Sequence, residues 1–116
     1  MSLEKYKLIA DKLKFEGRAF INGKYVDAID GEKFENINPA TGEILCTVAK
    51  CNHKDVDLAV KVSRKAFNSG VWSRTSPEFR KGILLKFAEL LTEHGEENSV
   101  LECVDTGKLI GDCINE

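Results

Sequence analysis

The hydrophobic pattern of the chain changes period once, near residue 52. Before that point apolar and polar positions alternate in short runs broken by Gly, Asn and Pro, which predicts short strands joined by tight turns. After it, apolar residues recur every three or four positions, the period of amphipathic helices. Residues 1–18 stand apart. Leu3, Tyr6, Ile9, Ala10 and Leu13 fall at near-helical spacing there, which predicts a short helix or, as at many termini, a loose arm.

Within residues 19–50 the turn chemistry is explicit. Asn22-Gly23 lies between Phe20-Ile21 and Tyr25-Val26. A two-residue hairpin turn needs two positive φ angles, and Asn-Gly supplies them at little steric cost. Asp30-Gly31 marks a second turn. Phe34, Asn36 and Asn38 alternate with Glu35 and Ile37, a strand-like run ended by Pro39, which cannot donate to a ladder. Thr41-Gly42 makes another turn, and Ile44 to Val48 reads as a strand of β-branched and apolar residues.

Asn52 is placed to cap a helix, with Asp55 three positions on completing a box-like start. Val56, Ala59, Val60, Ser63 and Phe67 follow at i, i+3, i+4, i+7 and i+11, one apolar stripe. Gly70 suits the left-handed cap. Ser76-Pro77 restarts a helix, since serine caps and proline at the first helical position loses nothing. Ile83, Leu84, Phe87, Ala88, Leu90 and Leu91 form its apolar face, and Gly95 is expected to end it. A third helix is expected over 96–104, capped by Gly107, and Lys108 onward looks like the start of another element. A β-hairpin region followed by three helices is not a repeating βαβ unit. No Gly-rich turn joins a strand to a helix, so no dinucleotide-binding fingerprint is present.

Composition narrows the functional classes. An apolar fraction of 42% and a charged fraction of 31% describe a globular chain rather than a disordered one. Seventeen basic against 19 acidic residues leave a net charge of −2, which gives no electrostatic reason to expect nucleic acid or an anionic membrane as a partner. No apolar run is long enough to span a bilayer. The first 14 residues mix Lys5, Lys7, Lys12 and Lys14 with Glu4 and Asp11, unlike a secretory or transit signal, so a cytoplasmic location is expected.

Candidate chemistry is sparse. Cys46, Cys51 and His53 form C-x4-C-x-H, whereas zinc sites favour tighter knuckles with a second pair. Without a secretion signal the four cysteines are expected to be reduced thiols. Cys51, beside a helix start, has the best local case for a thiolate, but nothing else in the chain supplies a general base. His53 and His94 are expected to be solvated. Trp72 reads as a packing anchor in a connector. Asp105-Thr106-Gly107-Lys108 reads as a helix C-terminus, where Lys108 complements the negative end and Asp105 holds a neighbouring loop.

Five segments in register resemble the N-terminal portion of the aldehyde dehydrogenase superfamily. They are Phe20-Ile21-Asn22-Gly23, Asn38-Pro39-Ala40-Thr41-Gly42-Glu43, Asp55-Val56-Asp57-x-Ala59-Val60 with Ala66-Phe67, the pair Trp72 and Arg80, and Leu101-Glu102 with Asp105-Thr106-Gly107-Lys108. Leu109 stands where the family usually has proline, and Cys103 and Val104 replace a common threonine and leucine. The resemblance implies an α/β fragment of the aldehyde dehydrogenase fold. Residues 1–18 would be the arm or helix, and 19–116 an incomplete part of the cofactor and oligomerisation region.

The family oxidises an aldehyde to a carboxylic acid with NAD or NADP. A cysteine thiolate attacks the carbonyl, hydride passes to the nicotinamide, and a glutamate activates the water that releases the acid. None of Cys46, Cys51, Cys103 or Cys113 matches the nucleophile's motif, so no catalytic or cofactor-binding residue is assigned to this chain. Some members hold a monovalent cation near the Asn-Pro turn. The corresponding positions here are backbone oxygens of Asn36 and Ile37 and the carboxylate of Asp105, an incomplete set. The resemblance further implies a small-molecule aldehyde as substrate, within the broad amino-aldehyde class, and a homo-oligomeric parent. The alternative expectation is a non-catalytic product that associates with full-length subunits through apolar surface such as Ile83, Leu84, Phe87 and Leu91. A metal-binding module is the third.

Overall fold

Asn22 and Gly23 both take positive φ, 55° and 77°, and the hairpin they close pairs β1 (Ala19–Ile21) with β2 (Lys24–Val26) antiparallel. Phe20 lies opposite Tyr25 in this register. Their rings meet edge to face at 5.2 Å, a favoured aromatic geometry and a cross-strand pair of the kind that stabilises hairpins. The Arg18 guanidinium lies 5.6 Å from the Tyr25 ring centroid.

The computed structural model describes residues 2–115. Among them, α1 (Leu3–Ala10) precedes the hairpin. β3 (Lys33–Ile37) and β4 (Ile44–Ala49) form a second two-stranded sheet. Helices α2 (His53–Ser69), α3 (Pro77–Glu93), α4 (Gly95–Thr106) and α5 (Ile110–Asn115) complete the chain. The three helices expected after the strands are α2 to α4, and α5 is the element expected beyond Lys108. The N-terminal alternatives resolve to a helix, α1, with Tyr6 buried.

The chain divides into two compact units. One comprises residues up to 16, 35–46 and 87 onward; the other comprises 17–34 and 47–86. In the first, α4 packs on both α1 and α5. Val100 and Cys113 are buried there, Ser99 Oγ donates to the Cys113 carbonyl at 3.1 Å, and Lys5 pairs with Glu96. In the second, α2 packs against β1, and the segment before β1 runs close to β4. Ala49 N–H donates to the Gly17 carbonyl at 2.7 Å, and a Cβ placed on Gly17 would lie 1.9 Å from the Thr47 carbonyl oxygen.

Helix boundaries follow the caps. The Asn52 side chain accepts from Lys54 N–H at 2.9 Å while Asp55 accepts from Asn52 N–H at 2.9 Å, a capping box. Ser76 Oγ accepts from Phe79 N–H at 3.1 Å ahead of Pro77. Gly70 and Gly107 close α2 and α4 with φ of 80° and 76°.

Three expectations change. Gly95 begins α4 instead of ending the preceding helix; the break falls at His94, whose N–H still donates to the Leu90 carbonyl while its own carbonyl accepts from Asn98. A glycine in the first turn is spared most of the cost it carries in a helix interior. The stripe of Val56, Val60 and Phe67 does not pack inward: Val60 is 61% and Phe67 59% exposed. Leu58 and Val62, on another side of α2, instead line a cavity of about 300 Å³ with Ile21, Val26 and Ile29 of the hairpin region. Helix α2 is thus apolar on two sides, and hydrophobic spacing alone does not choose between them. Trp72 is also exposed rather than anchored.

Candidate functional site

The Asn-Pro turn builds itself from its own side chains. Asn38 Oδ1 accepts from Ala40 N–H at 2.9 Å, the turn-mimicking bond that asparagine favours. Gly42, with φ 76°, donates its N–H to the Asn38 carbonyl at 2.8 Å, and Asn38 N–H donates to the Glu43 carbonyl at 2.8 Å. Glu43 N–H donates to Thr41 Oγ1 at 3.2 Å. Asn38, Thr41 and Gly42 therefore each have a turn-forming task, and the turn carries β3 into β4.

The C-terminal end of α4 lies against this turn, in the same unit. Gly107 N–H donates to the Cys103 carbonyl at 3.0 Å. A Cβ on Gly107 would sit 3.0 Å from Pro39 Cγ, so close approach and positive φ both call for glycine. Asn36 Nδ2 donates to Asp105 Oδ1 at 2.6 Å, joining residues 69 apart in sequence. Asp105 thus holds a strand, β3, where a neighbouring loop was expected. Lys108 Nζ pairs with Glu102 Oε1 at 2.8 Å, anchoring the residue after the cap to the last turns of the helix.

Of the three positions named for a cation, Asn36 and Asp105 meet through their side chains, and Ile37 is the exposed last residue of β3. Carboxylate and carbonyl oxygens are donors suited to hard cations. The Asn36 amide engages one Asp105 oxygen directly.

A second polar cluster surrounds the start of α2. Asp55 is 3% exposed and accepts from Asn52 N–H and from Ile29 N–H, both at 2.9 Å. These two bonds hold its carboxyl below the ordinary carboxylate value, with the Asn52 bond the larger cause. Asp30 accepts from Lys54 Nζ and Asn52 Nδ2, each at 2.7 Å, and is lowered too, chiefly by Lys54. The 28–31 turn is therefore clasped to the helix start. The cap was readable in the sequence; its second use, reaching back 26 residues to Ile29, carried no local signal.

The start of α2 follows a strand, the place where a pyrophosphate sits in dinucleotide-binding folds. Here it is taken by the Asp55 carboxylate, and the link 50–52 contains no glycine. These residues do not fit an anionic cofactor. Cys46 and Cys103 are half-buried, Cys113 buried and Cys51 exposed, all as free thiols. His53 and His94 are exposed. Among the described residues no three His, Cys, Asp or Glu side chains are grouped to hold a metal ion, and no helix is long and apolar enough to cross a membrane.

Comparison with known proteins bears out the family resemblance. The model of the aldehyde dehydrogenase family matches residues 25–116. Aldehyde dehydrogenase 1 of Tanacetum cinerariifolium is 53% identical over 102 residues, 88% of this chain and 20% of that protein. Aminoacetaldehyde dehydrogenase of Pseudomonas aeruginosa is 47% identical over 113 residues, 97% of this chain and 23% of that protein. Among solved structures, the aldehyde dehydrogenase KauB of Pseudomonas aeruginosa superposes with a TM-score of 0.95 at 44% identity, over 99% of this chain and 23% of its own. An indole-3-acetaldehyde dehydrogenase solved with NAD+ superposes at 0.94 and 43% identity, over 98% of this chain and 23% of its own.

The chain belongs to the aldehyde dehydrogenase family and matches its N-terminal portion. It spans about a fifth of the length of the curated relatives it matches.

Proposed function

We propose that this chain serves as the N-terminal portion of an NAD(P)+-dependent aldehyde dehydrogenase that converts a small aldehyde to its carboxylic acid. The observation that carries this reading is the superposition at TM-score 0.95 and 44% identity over nearly the whole chain. The catalytic thiolate and the cofactor turn belong to sequence outside this stretch. The contribution made here is structural: helices that cover the cofactor region and a turn–cap corner at Asn36, Ile37 and Asp105 proposed to hold a monovalent cation through oxygen atoms. A cytoplasmic, homo-oligomeric enzyme fits the charge balance and the family.

The substrate class we favour is small amino-aldehydes. Relatives named for aminoacetaldehyde and for gamma-glutamyl-gamma-aminobutyraldehyde, at 47% and 43% identity, support it. The test joins this chain to the remaining sequence of the Pseudomonas aeruginosa aminoacetaldehyde dehydrogenase as one polypeptide. NADH formation is then followed with amino-aldehydes and with unsubstituted aldehydes. Turnover is expected, with the amino-aldehydes preferred. A soluble, folded hybrid without turnover of any aldehyde would reject the reading, and the 116-residue chain alone is expected to form no NADH.

A further inference from the structure

Asn36 is an unexpected residue for the place it occupies. Asparagine is depleted in strands, yet Asn36 stands next to last in β3, half-buried while the rest of the strand is exposed. Its side-chain amide donates to Asp105 Oδ1 at 2.6 Å, near the end of α4. An ionised carboxylate only accepts, so the nitrogen end of the amide faces it. Such charge-assisted bonds are stronger than neutral ones. Further along the same two segments, a Cβ on Gly107 would lie 3.0 Å from Pro39 Cγ. The strand end and the helix end, both in one compact unit, therefore meet twice through groups that the chain itself carries.

We propose that the Asn36 side-chain amide does at this corner what a bridging cation would do: it ties the end of β3 to the last turn of α4, so that the corner keeps its shape at any cation concentration. The inference rests on the family reading above, which supplies the cation, and it gives a positioning role to one residue of this chain. A cation on the Asn36 and Ile37 carbonyls and the Asp105 carboxylate would set positive charge between strand and helix. The amide N–H sets partial positive charge against the same carboxylate, from the same strand residue. A carboxylate has about four acceptor sites, so the amide on Oδ1 leaves the second oxygen open to a cation, and the two links are compatible. They differ in occupancy. A bound ion stabilises only as far as its concentration exceeds its dissociation constant, whereas a donor carried on the chain is always at the corner.

The experiment melts the joined polypeptide of the preceding section in potassium chloride and in N-methylglucamine chloride of equal concentration. It is compared with Asn36→Ala, which keeps the backbone carbonyl and loses the amide, with Asp105→Ala, which removes the carboxylate from both links, and with the double variant. The joined polypeptide should shift no more between the two salts than Asp105→Ala, whose shift reports cation sites elsewhere in the enzyme. In N-methylglucamine, Asn36→Ala should melt about 2 °C lower, and the double variant no lower than Asp105→Ala, the signature of a coupled pair. Potassium should return part of the loss in Asn36→Ala and none in Asp105→Ala. Two results would overturn the inference: an unsubstituted polypeptide that loses more than Asp105→Ala when potassium is withdrawn, or single variants whose effects add in the double. The family reading is scored apart. A folded polypeptide that forms no NADH, or an Asn36→Ala variant indifferent to potassium, counts against that reading, while a coupled pair still upholds the inference. Turnover with additive variants leaves the function standing and removes the role of Asn36.

Discussion

Asp55 shows how much one side chain does when its neighbours are backbone donors. It is the buried charged residue among those described, and it satisfies two N–H groups that would otherwise face a helix start and a turn without partners. Its carboxyl sits below the ordinary value of 3.8 in the folded chain. A depressed carboxylate contributes stability that is complete above the unfolded value and is lost as pH falls through the folded one. The contribution of Asp55 is thus full at neutral pH, begins to fall below about pH 3.8 and is lost as pH drops through the lower folded value. Asp55→Asn puts an amide N–H where one of the two oxygens accepts, setting donor against donor. It should lower the urea midpoint clearly at neutral pH, and the gap to the parent chain should narrow at about pH 3. A gap of equal size at both pH values would mean that packing, not the carboxylate's charge, is what Asn disturbs.

At the scale of elements, Gly17 makes the sharpest statement. The backbone there passes so close to β4 that any Cβ would overlap the Thr47 carbonyl, and the same contact carries the bond from Ala49 N–H. The Cβ would meet backbone rather than a flexible side chain, so relief requires the chain itself to move. Gly17→Ala should therefore cost about 1–3 kcal/mol, read as a lower unfolding midpoint, while Gly111→Ala, where a Cβ meets nothing within 4 Å, should be near neutral. Equal midpoints for the two would show that the segment before β1 is not held against β4.

Turn and cap chemistry was legible in the sequence because it is local: Asn22-Gly23, Asn52 with Asp55, Ser76-Pro77, Gly70 and Gly107 all act within a few residues. Gly95 was misread because glycine both ends and begins helices, and the deciding event is the backbone angle of His94. The packing side of α2 was not legible either. A helix that is apolar on two sides gives a periodic signal for both, and only the position of the hairpin, set by Ile29 on Asp55, selects Leu58 and Val62. The turn–cap corner lay between these cases: its two motifs were readable separately, but the bond from Asn36 to Asp105 joins positions that no local pattern connects.

For the whole molecule, burial is distributed unevenly, and this has a consequence for dynamics. Tyr6, Val100 and Cys113 are buried in the cluster of α1, α4 and α5, and Ala28 and Asp55 are buried in the other unit, whereas α3, 17 residues long, buries none. Most helical stability in proteins comes from packing of an apolar face, and local opening follows the density of buried apolar contacts. Hydrogen exchange on the 116-residue chain should accordingly be slowest around Val100 in α4 and fast along α3, although both are regular helices. Joining the chain to the remainder of a relative should slow exchange in α3 far more than in α4, because only α3 gains its apolar cover. Protection of α3 equal to that of α4 in the short chain would mean that α3 is already held without that cover.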